Sequence, residues 1–171
     1  MVLTLQLTPW PTGVIKSSEM YLSLIYDRLH KLSDEREDLN IAGCWVHARR
    51  PFAEFIKSVG SKVAEGTVAM EAYDKITEIM HIDNSFDDLT NKDRKRQRQL
   101  ELKKRVDDYF NWVKLKYTQV THNSVNGKTL GYSINQEKYL RAFLSDRKIP
   151  MDNNYALYTG YFYPHILYQG A

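Results

Sequence analysis

Hydrophobic residues recur at helical spacing along most of the chain. A helix that begins at Ser17 or Ser18 is predicted by a stripe of four side chains, Tyr21, Ile25, Leu29 and Leu32. Equivalent stripes predict four more helices, over residues 47–59, 67–81, 91–119 and 136–144. Thr90 and Asn135 precede the last two stripes and are suited to cap them. The pattern is that of a mainly helical protein.

Signals for β structure are few. One apolar run, LNIAGCW at residues 39–45, has the length of a buried strand. The first fifteen residues contain two prolines and no period, and predict at most a short extended segment. Asn126 and Gly127 predict a turn. The tyrosine-rich tail after Ala156 predicts neither a helix nor a clean strand.

The longest predicted helix, 91–119, divides into two halves. Its first half is almost bare of apolar residues, which predicts an exposed helix that projects from the body and docks only through its C-terminal turns. The same half contains a cluster of basic side chains. This basic cluster is a candidate phosphate-contacting surface, because each neutralised phosphate releases counterions. The alternative is a solvated helix face. Eight basic side chains make up the cluster: Lys92, Arg94, Lys95, Arg96, Arg98, Lys103, Lys104 and Arg105.

Composition limits the class of protein. A chain of 171 residues with 43% hydrophobic and 26% charged residues fits one globular domain and excludes a disordered protein. The single cysteine, Cys44, excludes an intramolecular disulfide framework. Because no apolar run has the ~20 residues of a spanning helix and the first fifteen residues carry no charge, we expect a cytoplasmic protein without membrane contact.

Generic site motifs are weak. Cys44 and His47 have the spacing of two zinc ligands, but no second pair follows. An acidic stretch that starts at Asp83 fails as a calcium loop, since Asp88 stands where glycine is required and Arg94 where glutamate is required. The chain has no phosphate-binding glycine loop and no esterase elbow.

Two strings are specific to a known family. Residues 42–52, AGCWVHARRPF, closely resemble the AGCWAHARRKF motif of the insertion-sequence 66 family of transposases. Residues 130–140, LGYSINQEKYL, resemble a second motif of this family, which leads through Ile149-Pro150-Met151 to Asp152-Asn153-Asn154. The two strings lie in the family's order, and the resemblance extends from about Tyr26 to Ala156.

The resemblance implies a partial ribonuclease-H-like core with a helical insertion, and a DDE transposase in which three carboxylates hold two Mg²⁺ ions. Here the chain departs from the family. Leu157 stands where the family has its final glutamate, and Leu24 aligns with its middle aspartate. The first aspartate would lie upstream. We therefore expect no intact catalytic set, no metal and no cofactor, and only one or two strands; the motif remnants are Asp152, Asn153, Asn154 and His47.

Three regions are expected along the chain. Residues 26–156 form the transposase central domain, while residues 1–25 and 157–171 are interpreted as translated out of the ancestral reading frame. Sequence that was never selected to match this core predicts poorly packed ends before Lys16 and after Leu157.

Two functions follow from these residues. The first is a remnant of a DDE transposase, catalytically inactive, with weak sequence-independent DNA binding. Its candidate phosphate contacts are Arg49, Arg50, Lys92, Arg94, Lys95, Arg96 and Arg98. His47 would position a scissile phosphate or cap its helix, and Cys44 and Trp45 would pack in the core. The alternative is a helical interaction protein that binds intact transposase or another protein partner.

Overall fold

Helices dominate the part of the chain that the structure describes. The structure is a computed structural model that describes residues 3–7, 39–146, 149–152 and 165–169. Its helices are α1 (Trp45–Val59), α2 (Ser61–Ala64), α3 (Val68–Asn84), α4 (Asn91–Gln97), a π-helical turn (Arg98–Leu102), α5 (Lys103–Tyr117), α6 (Val125–Asn135), α7 (Glu137–Leu140) and α8 (Ala142–Ser145). The expected mainly α class is confirmed. The helix predicted to begin near Ser17 lies outside the described residues.

A small mixed sheet accompanies the helices. Strand β1 (Leu3–Leu7) lies in the centre, parallel to β2 (Leu39–Gly43) and antiparallel to β3 (His165–Gln169). The described residues thus contain three strands, where one or two were expected. β2 matches the predicted apolar run, and β1 is the short extended segment. β3 was not predicted, because its pairing with β1 depends on contacts across most of the chain.

Helices α1 and α3 follow their apolar stripes. Pro51 lies within α1, and its neighbours Ala48 and Phe52 are buried. The side chain of Thr67 caps α3 by accepting a hydrogen bond from the Met70 N–H at 3.3 Å. α3 continues to Asn84, three residues beyond the predicted end. Both helix predictions are confirmed, with small shifts at their ends.

The long helix is interrupted rather than uniform. Thr90 caps α4 as predicted, accepting from the Asp93 N–H at 3.3 Å. α4 has no buried residue, but the π-helical turn that follows buries Arg98 and Leu102 completely. The prediction that the whole basic half projects from the body is therefore wrong. The helix docks from Arg98 onward.

The turn predicted at Asn126 and Gly127 is wrong, because both residues lie in the first turn of α6, which Ser124 caps. A Cβ atom on Gly127 would lie 2.3 Å from the carbonyl oxygen of Thr121. Glycine is needed here for close backbone approach inside a helix, and not for a turn. Asn135 is the last residue of α6 rather than a cap. The helix predicted after it is divided into α7 and α8.

One hydrophobic core joins these helices. Its largest fully buried apolar side chains come from α1, α3, the π-helical turn, α5, α6, α7 and α8: Trp45, Tyr109, Phe52, Phe110, Phe143, Ile76, Ile79, Leu102, Leu130 and Leu140. Ile149 and Met151 close the same core from the segment after α8. Among the described residues, no helix is both long enough and apolar enough to cross a membrane.

Candidate functional site

The two recognisable strings of the sequence meet where β2 passes into α1. Trp45 begins α1, and its backbone N–H donates to the carbonyl oxygen of Met151 at 3.0 Å. Its indole Nε1–H donates to the carbonyl oxygen of Leu140 at 2.9 Å. Because Leu140 ends the second string and Met151 precedes Asp152, one tryptophan connects the start of α1 to the segment that carries the Asp-Asn-Asn motif.

Aromatic packing fixes Trp45 in this position. Its ring centroid lies 5.5 Å from that of Tyr109, 6.0 Å from that of Phe110 and 6.0 Å from that of Phe143. Edge and tilted contacts of this kind add to the stabilisation that burial alone provides. Cys44, which precedes the helix, is fully buried, as is Trp45. The prediction that both residues pack in the core is confirmed.

His47 lies in the first turn of α1 and is half-buried. Its Nδ1 atom is buried and has no hydrogen-bond partner among the described residues. Burial, assisted by the positive charge of Arg50, lowers the pKa of His47 from 6.5 to about 4. The imidazole is therefore uncharged at neutral pH. A neutral imidazole can donate or accept a hydrogen bond with a ligand, but it does not attract a phosphate by charge.

The two arginines that follow differ in their surroundings. The guanidinium of Arg49 lies 5.4 Å from the ring centroid of Tyr73 and donates to the Thr77 hydroxyl at 3.3 Å, which directs it onto α3. Arg50 is exposed. Of this pair, Arg50 is the side chain that is open to solvent and able to meet a phosphate.

Asp152 ends the described segment after α8 and is half-buried. Asn153 and Asn154 lie outside the described residues, as do Leu24 and Leu157. Within the described ranges, no group of three or more His, Cys, Asp or Glu side chains is arranged to hold a metal ion.

The basic cluster separates into three kinds of side chain. Lys92, Lys95 and Arg96 are exposed on α4 and have no ion-pair partner among the described residues. Arg94 is half-buried and pairs with Asp87. Lys103, Lys104 and Arg105 of α5 pair with Asp107, Asp108 and Glu78 at 3.1, 2.6 and 3.1 Å. Three cations of the eight are thus available to an external anion.

Arg98 does not belong to this surface. Its guanidinium is buried and forms a bidentate ion pair with Asp83, with distances of 2.6 Å from Nε to Oδ1 and 2.8 Å from Nη2 to Oδ2. The sequence prediction placed Arg98 among the phosphate contacts. That prediction is wrong, because a guanidinium enclosed by the core cannot meet a phosphate at the surface.

Asp83 and Gln99 contribute to the site and were not predicted. Asp83 occupies the apolar stripe of α3 at helical spacing from Ile76, Ile79 and Met80. An acid on a buried stripe requires a cationic partner, and this signal was present in the sequence. Gln99, by contrast, is exposed and donates from Nε2 to the carbonyl oxygen of Leu144 at 2.6 Å. No sequence pattern indicates that bond.

Both strings lie within a stretch of the chain that matches a known family. The transposase IS66 family matches residues 24–156, and the chain belongs to this family. The chain is 28% identical over 132 residues to the uncharacterized protein y4jD of Sinorhizobium fredii, covering 73% of this chain and 24% of the relative. It is 26% identical over 122 residues to the uncharacterized protein y4qI of the same organism, covering 69% and 21%.

The chain spans about a quarter or less of the length of these two curated relatives. No solved structure matches it.

Proposed function

We propose that this chain is a catalytically inactive remnant of a DDE transposase that binds DNA weakly and without sequence preference. The observation that carries the DNA-binding part is the position of three cations on α4 that have no ion-pair partner in the described part of the chain. Lys92, Lys95 and Arg96 stand at i, i+3 and i+4, which places them on one exposed helix face. A row of unpaired cations on one face is suited to the phosphates of a duplex backbone.

The proposed inactivity rests on the carboxylates that would have to bind the metal ions. Two divalent cations need several carboxylate oxygens at ~2.0–2.2 Å, and the family places three acids there. This chain has leucine at two of those positions, Leu24 and Leu157; Asp152, which it retains, belongs to the Asp-Asn-Asn motif and is not one of the three. These residues do not fit a two-metal centre. A partial ribonuclease-H-like core is part of the same proposal, and a mixed sheet packed with helices is compatible with it.

A salt titration of binding to duplex DNA tests the interface, and the chain offers a matched control. Lys92→Ala/Lys95→Ala removes two lysines without a partner among the residues that the structure describes, whereas Lys103→Ala/Lys104→Ala removes two lysines that already pair with Asp107 and Asp108. The net charge changes equally in the two variants. We expect only the first to flatten the slope of log affinity against log salt, by about 0.9 per lost phosphate contact, for any DNA sequence.

Two results would contradict the proposal that α4 contacts DNA. Equal losses in both variants would mean that net charge, and not contact by α4, attracts DNA. Absence of salt-dependent binding, together with salt-insensitive association with intact transposase, would favour the alternative function of a helical interaction protein.

Inactivity has its own test. We expect no nicking or joining of a transposon-end duplex by the purified chain in Mg²⁺ or Mn²⁺. Leu157→Glu alone is not expected to restore activity, because Leu24 would still stand in place of the family's middle aspartate. Metal-dependent nicking that Asp152→Ala abolishes would contradict the proposed inactivity.

A further inference from the structure

Arg98 binds more than its ion-pair partner. Besides Asp83, its Nη1 donates to the carbonyl oxygens of Phe143 at 3.1 Å and of Ile149 at 2.8 Å. The guanidinium also lies 5.2 Å from the ring centroid of Phe143. One buried cation thus connects α3 to backbone that lies 45 and 51 residues further along the chain.

The same stretch of backbone is bound from two sides. We call residues 140–146 and 149–152 the acceptor segment. From the π-helical turn, Arg98 and Gln99 donate to its carbonyl oxygens at residues 143, 144 and 149. From the start of α1, Trp45 donates to those of Leu140 and Met151. All five oxygens belong to the residues that lead to Asp152.

We infer that Arg98 is a positioning residue, which holds the acceptor segment against the start of α1 and thereby sets the place of Asp152. The inference takes from the proposed function only the transposase origin of the chain, in which Asp152 belongs to the family's Asp-Asn-Asn motif. The geometry stands independently of DNA binding. Asp152 follows Met151 directly, so its backbone position depends on the bond that Trp45 makes to Met151.

Arginine is suited to this task and lysine is not. The guanidinium presents donors in a planar fork, and here three nitrogens serve a carboxylate and carbonyl oxygens of the acceptor segment at once. A lysine ammonium keeps the charge but offers one nitrogen. The π-helical turn starts at Arg98 and directs both Arg98 and Gln99 towards the acceptor segment; such turns recur at functional sites.

Hydrogen exchange in the absence of DNA tests the inference. Trp45 carries two reporters, its backbone N–H bonded to Met151 and its indole N–H bonded to Leu140. The backbone N–H of Ile76, in the middle of α3, reports global opening. In Arg98→Lys we expect both Trp45 protons to exchange about tenfold faster relative to Ile76, the factor that matches the loss of charged hydrogen bonds.

Leu102→Ala is the matched control, since Leu102 lies in the same π-helical turn, is fully buried and contributes packing. It should accelerate hydrogen exchange at Trp45 and Ile76 together.

If Arg98→Lys does not fold, Gln99→Ala serves instead, because Gln99 is exposed and its loss should selectively accelerate exchange at Trp45 by a smaller factor. A constant ratio of Trp45 to Ile76 exchange in the folded variants would overturn the inference. Because no DNA is present, failure here and failure to bind DNA are separate results.

Discussion

The two ends of the basic segment lie in one continuous run of helix but carry their charge differently. On α4, Lys92, Lys95 and Arg96 face solvent without described partners. From the π-helical turn onward, each cation is matched by an acid: Arg98 by Asp83 inside the core, and the three of α5 by Asp107, Asp108 and Glu78 at the surface. The positive charge that the sequence concentrates over fourteen residues is therefore available mainly from the first turns.

The difference has a simple physical origin. α4 buries no residue, and among the described residues Arg94 is its one cation that pairs with an acid, Asp87. α5 carries acids one turn after its lysines, at i+4 spacing, and packs against α3, which supplies Glu78. Counting charges in a window overstates the field that a partner meets, because neighbours within and across helices neutralise part of it.

The largest expected effect on the free energy of unfolding comes from breaking the buried ion pair of Arg98, compared with the exposed ion pair of Arg94. Asp83→Ala leaves Arg98 uncompensated in the core and should lower the free energy of unfolding by about 3–5 kcal/mol. The control is Asp87→Ala, whose carboxylate pairs with Arg94 but is 66% exposed, and which should cost less than about 1 kcal/mol. Urea denaturation measures both. Similar losses in the two variants would contradict the comparison.

A second prediction concerns His47, whose imidazole burial keeps uncharged. Because the pKa of His47 is about 4 in the folded protein against 6.5 in the unfolded chain, the unfolded chain binds the proton first as pH falls. The free energy of unfolding should therefore decrease from pH 6.5 to about 4, by on the order of 1–2 kcal/mol once solvent screening is allowed for.

His47→Gln removes this titration. The difference in stability between the native chain and this variant, measured by urea denaturation at several pH values, should change across that window. A difference that stays constant from pH 7 to pH 4 would contradict the assigned pKa.

A third prediction addresses how α4 stays folded without packing. Thr90→Ala removes the cap on the Asp93 N–H and should destabilise α4 locally by about 1 kcal/mol. Faster exchange of the Asp93 and Arg94 backbone protons measures the effect. Thr90→Ser, which keeps a hydroxyl at the same place, should restore most of the protection, and equal exchange in the two variants would refute a capping role.

The smallest effect is expected on α5. Lys104 is 82% exposed, and its bond to Asp108 lies at the surface. Lys104→Ala should change the free energy of unfolding by less than about 0.5 kcal/mol, and added salt should reduce even that. Thermal or urea denaturation at two ionic strengths is the measurement. A loss comparable to that of Asp83→Ala would remove the distinction between buried and exposed pairs.

Sequence patterns predicted the local structure better than the contacts between distant parts. The stripes of α1 and α3 and the caps Thr67 and Thr90 depend on residues a few positions apart, so they can be derived from the chain. Thr67 itself was taken as the first helical residue. The in-helix position of Gly127 depends on the backbone at Thr121 and His122, and the usual turn signal of Asn-Gly failed there.

In the candidate site, too, local features were predicted and contacts between distant residues were not. The family resemblance identified both strings, and the structure adds that Trp45 connects them. The burial of Arg98 was missed because its partners Phe143 and Ile149 are distant in sequence, so a residue amid exposed cations was grouped with them. A local charge count contains no information on which cation points inward.

The bond from the Trp45 indole to Leu140 spans 95 residues, and this separation has a consequence for folding. Forming it early would close a very long loop before the intervening helices offset the entropy lost. The junction of the two motifs should therefore assemble late, after α3 and α5 have packed, with contacts largely absent from the folding transition state. During synthesis, Trp45 emerges seconds before its partners do, since chains elongate at about 5–20 residues per second. Until Leu140 and Met151 arrive, this large aromatic residue has no native backbone acceptors, so early-terminated chains would leave its two donors without them.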